Sequence, residues 1–238
     1  MSTEEQIANI MNMTNKEWKI EEIFGRAKEI SKERKFTESI EAIVKLNVDP
    51  TQGDQNIRGT CVLPAGTGEE IKVCVFADKE FHDEVRAMGA DYIGDETVLK
   101  EIGEGRIAFD KILATPEHMQ TLKSLARILG PKGLMPNVKS GTLVKPDDLL
   151  DAVKLSKQGL MEFRVNDDAT IMCKIGKKDF TEKDLESNLD ALLTAVAKKR
   201  PDSVKGRFFG KSMVKASMGP TVKLDLQKYQ LMATASTA

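Results

Sequence analysis

The sequence predicts an α+β protein of two domains: a discontinuous α+β domain with antiparallel strands, and a Rossmann-like three-layer α/β domain inserted into it. Three observations predict this. Apolar residues alternate with period two near both ends of the chain. The middle instead alternates short continuous apolar runs with helical patterns. Breakers, Gly66-Thr67-Gly68 and Gly159, stand where the pattern changes. The boundaries that follow are 1–68 with 159–238 for the discontinuous domain and 69–158 for the insert.

Taken in order, residues 1 to about 15 form a polar lead-in. Trp18, Ile23, Phe24, Ala27 and Ile30 share one face of a helix. After Lys35-Phe36 the period drops to two: Ile40, Ala42, Val44, Leu46 and Val48 alternate with more polar neighbours, which is a strand. Asp49 to Asp54 is a loop, and 57–63 alternates again. Two successive strands joined by a short loop are most simply antiparallel partners. Pro64 to Gly68 then breaks the chain. A phosphate-binding loop would need a helix directly after it, but Ile71 to Phe76 is a continuous apolar strand, so a domain linker fits better.

Strand and helix now alternate: strands at 71–76, 90–94 and 111–115, with helices at 79–88, 97–102 and a run of Met119, Leu122, Leu125, Ala126 and Leu129 ending at Gly130. Buried parallel strands with helical crossovers make a small α/β domain. A helix over 147–157 leads to Gly159. The alternating pattern then returns at 161–165 and 170–175, around the turn Asn166-Asp167-Asp168. A capped helix opens at Phe180-Thr181 and buries Leu185, Leu189, Leu192, Leu193 and Val196. Pro201 ends it, and 206–217 is a last long strand running into Met218-Gly219-Pro220.

Composition bounds the function. The 238 residues are 40% hydrophobic and 31% charged, as in a soluble globular protein. No apolar run reaches the roughly 18 residues of a membrane span. The lead-in carries Glu4 and Glu5 and no cations, unlike a signal or organellar presequence. Cys61, Cys74 and Cys173 are odd in number and sit in separate apolar runs, which points to buried free thiols and gives no metal-ligand spacing. The net charge of -1 argues against indiscriminate polyanion binding. From Lys198 to Lys223, however, eight cations stand against one acid, Asp202, and such a local stripe can hold RNA.

Three segments could carry a site. The run LARILGPKGLMPNVKSGTL, 125–143, ends a helix in a rigid loop of glycines and prolines, with Lys132 and Lys139 around Leu134-Met135. Backbone N–H groups around Gly133 and those cations could meet a phosphate; the alternative is a helix-ending turn with incidental lysines. Lys215-Ala216-Ser217-Met218-Gly219-Pro220 offers a hydroxyl, a thioether and open backbone at a strand end, a weakly polar patch suited to RNA shape and 2′-hydroxyls, or else an ordinary Gly-Pro turn. Lys35-Phe36-Thr37-Glu38-Ser39 pairs an aromatic with a cation, either to stack on RNA or to staple a helix end. Enzyme chemistry has less support. His82 and His118 read as solvated helix residues with no nucleophile beside them, and Phe76-Ala77-Asp78 lacks the glycines of a dinucleotide site. A nucleotide-binding enzyme using the insert is kept as the alternative.

Together these segments resemble the ribosomal protein L-one family, in its bacterial and organellar branch, from about Trp18 to Leu226. The resemblance rests on Lys35-Phe36, the run 54–60 (Asp-Gln-Asn-Ile-Arg-Gly-Thr), Leu63-Pro64 with Gly66-Thr67-Gly68, the 125–143 signature, Glu162-Phe163-Arg164, Asn188-Leu189 and 217–220. It implies a non-enzymatic constituent of the large ribosomal subunit without cofactor or metal. Its partners would be the rRNA of the mobile stalk, deacylated tRNA leaving the exit site and, in a bacterium, its own operon mRNA. No membrane and no stable homo-oligomer are expected, and the location would be the bacterial cytoplasm, with an organellar ribosome as the alternative. By position, the resemblance implies RNA contacts at Lys35, Phe36, Thr37, Ser39, Arg164, Lys211, Ser217, Met218, Gly219 and Pro220. Secondary RNA or tRNA contacts would fall at Lys132, Gly133 and Lys139, and hinges at Gly66, Gly68 and Gly159. Two departures stand out: Ser217 replaces the usual threonine, and the acidic lead-in replaces a basic one.

Overall fold

A computed structural model describes residues 16–30, 35–138 and 140–235; the lead-in and Lys139 lie outside the described residues. In chain order the elements are β1 (Glu17–Trp18), α1 (Ile20–Ile30), β2 (Ser39–Leu46), β3 (Arg58–Val62), β4 (Val73–Phe76), α2 (His82–Ala87), β5 (Tyr92–Ile93) and α3 (Glu96–Gly103). There follow β6 (Lys111–Ala114), α4 (Met119–Ser124), α5 (Ala126–Leu129), α6 (Leu149–Lys157), β7 (Leu160–Arg164), β8 (Thr170–Lys177), α7 (Glu182–Ala197), β9 (Phe209–Ala216), β10 (Thr221–Leu224) and α8 (Gln227–Ala235). They divide into two compact units, Met1–Gly68 with Glu162–Ala238, and Glu69–Met161.

The first unit is built on a five-stranded sheet of order β1-β10-β9-β2-β8, in which central β2 runs antiparallel to both β8 and β9. Alternation explains why it has one dry face. Ile40, Ala42, Val44 and Leu46 of β2, Ile171, Cys173 and Ile175 of β8, and Val214 and Ala216 of β9 are all buried. The helices α1 and α7 pack on the sheet and on each other. Residues of the opposite parity, Ile43, Met172 and Met213 among them, are half-buried or exposed. Helix α7 starts where the Thr181 hydroxyl accepts the backbone N–H of Asp184 at 3.2 Å, and it buries Leu185, Leu189, Leu192, Leu193 and Val196. The α+β class and the antiparallel discontinuous sheet are those the sequence predicts.

One pairing is different. β2 and β3 are not partners: β3 pairs with β7 in a separate two-stranded sheet and packs on α7. The loop between them folds on itself instead of forming a hairpin. The Asp49 carboxylate accepts the Thr51 backbone N–H at 3.1 Å and the Thr51 hydroxyl at 2.6 Å, and Gln55 Oε1 accepts the Asp49 N–H at 2.8 Å. Both edges of β2 are then filled by strands from the far end of the chain.

The second unit holds three parallel strands in the order β5-β4-β6. Its three layers follow from the residues of the central strands. Val73, Val75 and Leu113 point to one face and pack with Val85, Leu149 and Val153. Cys74, Phe76, Ile112 and Ala114 point to the other and pack with Ile102, Leu122 and Leu129. The expected single helix over 119–129 is broken at Leu125, whose φ of -97 and ψ of 6 separate α4 from α5. The histidines are not simply solvated: His82 Nε2 lies 3.0 Å from the carbonyl oxygen of Ala77, and His118 Nδ1 lies 3.0 Å from the Thr115 hydroxyl. All three cysteines are buried free thiols.

Candidate nucleic-acid interface

At one end of the five-stranded sheet, two segments far apart in sequence meet. Lys35, Phe36 and Thr37 lead into β2, and Ser217 to Pro220 join β9 to β10. The register sets Ile40 opposite Ala216, which brings Ser39 beside Ser217. The Ser217 backbone N–H donates to the Ser39 carbonyl at 3.0 Å, and the Ser217 hydroxyl donates to the same oxygen at 3.2 Å. The Ser39 N–H in turn donates to Ser217 Oγ at 3.2 Å. The serine proton is therefore spent inside the protein, and what the hydroxyl retains for a ligand is a lone pair. Gly219 closes the turn by donating to the Ala216 carbonyl at 2.9 Å.

The tip that results exposes two large apolar side chains. Phe36 is 54% exposed and Met218 62% exposed, on neighbouring segments of one sheet end. Lys35 and Thr37 are exposed beside them, while Ser39, Ser217, Gly219 and Pro220 are half-buried. A ring, a thioether and open backbone suit the ribose and base faces of a folded RNA better than a bare run of phosphates.

Arg164 and Lys211 are not brought to this tip. In β8 and β9 the tip end is marked by Lys177 opposite Ser39, and the far end by Thr170 opposite Lys45 and Ser212 opposite Val44. Lys211 lies six residues down β9 from Ser217, about 20 Å at a strand's rise. Arg164 ends β7 near Asn166, whose N–H donates to the Thr170 carbonyl, so it too lies toward the far end. Both side chains are exposed.

In the other unit, Lys132 and Gly133 are exposed, and Gly133 takes a φ of 70 that a side chain would strain. The Leu134-Met135 pair of the signature packs against the apolar cluster around Phe76 and Leu129, so it belongs to the core. The loop that follows is closed by the Asn137 carbonyl, which accepts the N–H groups of Thr142 and Leu143 at 3.1 and 3.2 Å.

The chain matches the model of the Ribosomal protein L1p/L10e family over residues 27–220. It belongs to that family. It is also 44% identical over 191 residues to the large ribosomal subunit protein uL1 of Dechloromonas aromatica (strain RCB), a match that spans 80% of this chain and 82% of the relative. As a member of the L1 family the protein is an rRNA-binding ribosomal constituent, not an enzyme, and its place is on ribosomes in the bacterial cytoplasm.

Sequence reasoning missed one residue of the tip. Glu38 is 1% exposed beneath it. Its Oε1 accepts the Met218 backbone N–H at 3.2 Å, and its Oε2 lies 3.9 Å from Lys178 Nζ. The signal was available: Glu38 shares the parity of Ile40, Ala42, Val44 and Leu46, so the strand's alternation turns an acid inward.

Proposed function

We propose that the protein holds the folded rRNA of the large-subunit stalk through the tip formed by Lys35, Phe36, Thr37, Ser39, Ser217, Met218, Gly219 and Pro220, with Arg164 and Lys211 meeting the same RNA farther down the sheet. On this reading it assists deacylated tRNA leaving the exit site, with Lys132, Gly133 and Lys139 as a secondary RNA or tRNA contact. It also represses its own operon by binding a leader mRNA of the same shape. The observation that carries the reading is the exposure of Phe36 and Met218 on the two segments that the backbone-bound pair Ser39 and Ser217 joins.

The hinges of this reading are Gly66, Gly68 and Gly159. Asn188 accepts the Ala65 N–H at 2.9 Å and donates to the Gly66 carbonyl at 3.0 Å. A Cβ on Gly68 would meet the Phe180 ring at 2.8 Å. All three glycines take the positive φ that favours glycine, 71 at Gly66, 72 at Gly68 and 103 at Gly159, which supports these crossings as the places where the chain turns.

The test is a titration of labelled stalk rRNA. Phe36→Ala is expected to weaken binding at least tenfold. Ser217→Ala is expected to cost about 1–2 kcal/mol, from both the lost lone pair and the loosened Ser39 pairing, whereas Ser217→Thr binds like the parent. Leader mRNA competes for the same site. Unchanged affinity in Phe36→Ala, or simultaneous binding of leader and rRNA, removes the tip from the function.

A further inference from the structure

We infer that Glu38 is a positioning residue for RNA recognition: without touching the RNA, its buried carboxylate fixes the turn that presents Met218. The inference rests on the tip reading above. Two segments distant in sequence converge on this residue. Met218 of the β9–β10 turn donates its N–H to Oε1, Lys178 after β8 places its ammonium 3.9 Å from Oε2, and the Lys178 N–H donates to the Glu38 carbonyl at 2.8 Å. The next residue of the strand, Ser39, is the one that pairs with Ser217.

An inward position on β2 is elsewhere filled by Ile40, Ala42, Val44 or Leu46. A carboxylate there is costly to desolvate and contributes nothing to packing that leucine would not. What it contributes is direction. A hydrocarbon cannot accept the Met218 N–H, and a turn lacking that bond is held to β2 through the Ser217–Ser39 bonds, one residue short of the outward thioether. The Lys178 ammonium offsets a negative charge that would otherwise oppose approaching phosphates. Order in Met218 before binding lowers the entropic cost of the complex.

The experiment uses the full chain and labelled stalk rRNA, with Glu38→Gln, Glu38→Leu, Met218→Ala and the double variant Glu38→Leu/Met218→Ala. Amide hydrogen exchange at Met218 and urea unfolding are read on each. Glu38→Gln keeps an acceptor and is expected to bind within threefold of the parent. Glu38→Leu is expected to lose at least tenfold in affinity, with Met218 exchange accelerated at least tenfold. On the Met218→Ala background the same substitution should lose less than twofold, because its effect runs through that side chain.

The inference is overturned if Glu38→Leu lowers stability but leaves the affinity of the folded protein intact, if its loss is additive with Met218→Ala, or if Glu38→Gln loses as much. Should Glu38→Leu not fold, Glu38→Asp serves: its carboxylate is one methylene short of the Met218 N–H, and the same loss is expected. If instead Phe36→Ala and Met218→Ala both bind normally, the tip reading fails whatever Glu38 does. Normal binding by Glu38→Leu beside a weakened Met218→Ala sinks only the inference.

Discussion

Asn188 makes the sharpest stability prediction. It is fully buried in α7, with 0% exposure. Its Oδ1 accepts the Ala65 N–H at 2.9 Å, and its Nδ2 donates to the Gly66 and Ile175 carbonyls at 3.0 and 2.9 Å. One side chain thus ties the end of the 1–68 segment to β8 and α7. In Asn188→Ala all three bonds go. The Ile175 carbonyl is buried, while Ala65 and Gly66 are only half-buried and can recruit water. At about 1 kcal/mol per lost bond, less for the two that can be rehydrated, the cost is about 2–3 kcal/mol. Asn188→Asp should cost at least as much at neutral pH, since a carboxylate then faces two carbonyls, and should recover as the pH falls. The assay is urea unfolding followed by Trp18 fluorescence. Trp18 is the single tryptophan, held in the first unit with Arg26 5.0 Å from its ring centre, so it reports that unit alone. A loss below about 0.5 kcal/mol for Asn188→Ala would refute the reasoning.

The Tyr229 phenol donates to Asp190 at 2.5 Å; this bond holds the Asp190 carboxyl below its usual value, while burial and the same carboxylate raise the phenol. Tyr229→Phe is therefore expected to cost about 1 kcal/mol over a plateau above the ordinary carboxyl value of 3.8 and below the ordinary phenol value of 10.0, with the difference from the parent shrinking as pH falls through the lowered Asp190 value; a pH-independent difference counts against it. Burial pushes the Cys74 and Cys173 thiols up to about 12, so thiol reagents at pH 8 should label them only after unfolding, and rapid labelling of the native chain would contradict their burial. With Lys35, Arg164 and Lys211 as the cations of the proposed contact, log affinity should fall with log salt at a slope of roughly -2 to -3; a slope steeper than about -6 would assign the binding to the wider lysine stripe instead.

Local periodicity carried most of the fold. The parity of Ile40, Ala42, Val44 and Leu46 names the buried residues of β2, though Val48 falls past its end and is half-buried. Of the run 71–76, Val73–Phe76 form the fully buried parallel strand, while Ile71 is half-buried and Lys72 exposed before it. What it could not carry was partner choice. Nothing local tells β2 that its edges belong to β8 and β9, more than a hundred residues on, and so the short loop predicts β3 as its antiparallel neighbour. Short elements were lost for a related reason. β1 has two residues, β10 has four, and the β10 pattern follows a Gly-Pro turn that reads as an end. Leu125 keeps the helical apolar spacing while its backbone leaves the helix, so periodicity alone cannot show the break. At the candidate site the residue types were visible but not their meeting: Ser39 and Ser217 are joined only by the sheet order. The same order sets Lys211 and Arg164 apart from them.

That separation constrains the ligand. A flexible single strand could satisfy the tip alone, and its affinity would then ignore Arg164 and Lys211. An RNA that touches Phe36 and Met218 at one end and Lys211 about 20 Å away must hold its own shape over that distance. A folded helix with a loop does so without the ordering cost a single strand would bear. Specificity can then arise on a chain of net charge -1. The few cations reward an RNA only when its backbone passes both ends of the sheet in one rigid geometry, and the apolar tip rewards it only when an unstacked base or sugar face arrives there. Polyanions without that shape gain neither contact in full. A near-neutral composition is thus compatible with an RNA binder that reads shape, and a more basic surface would hold the wrong RNAs along with the right one.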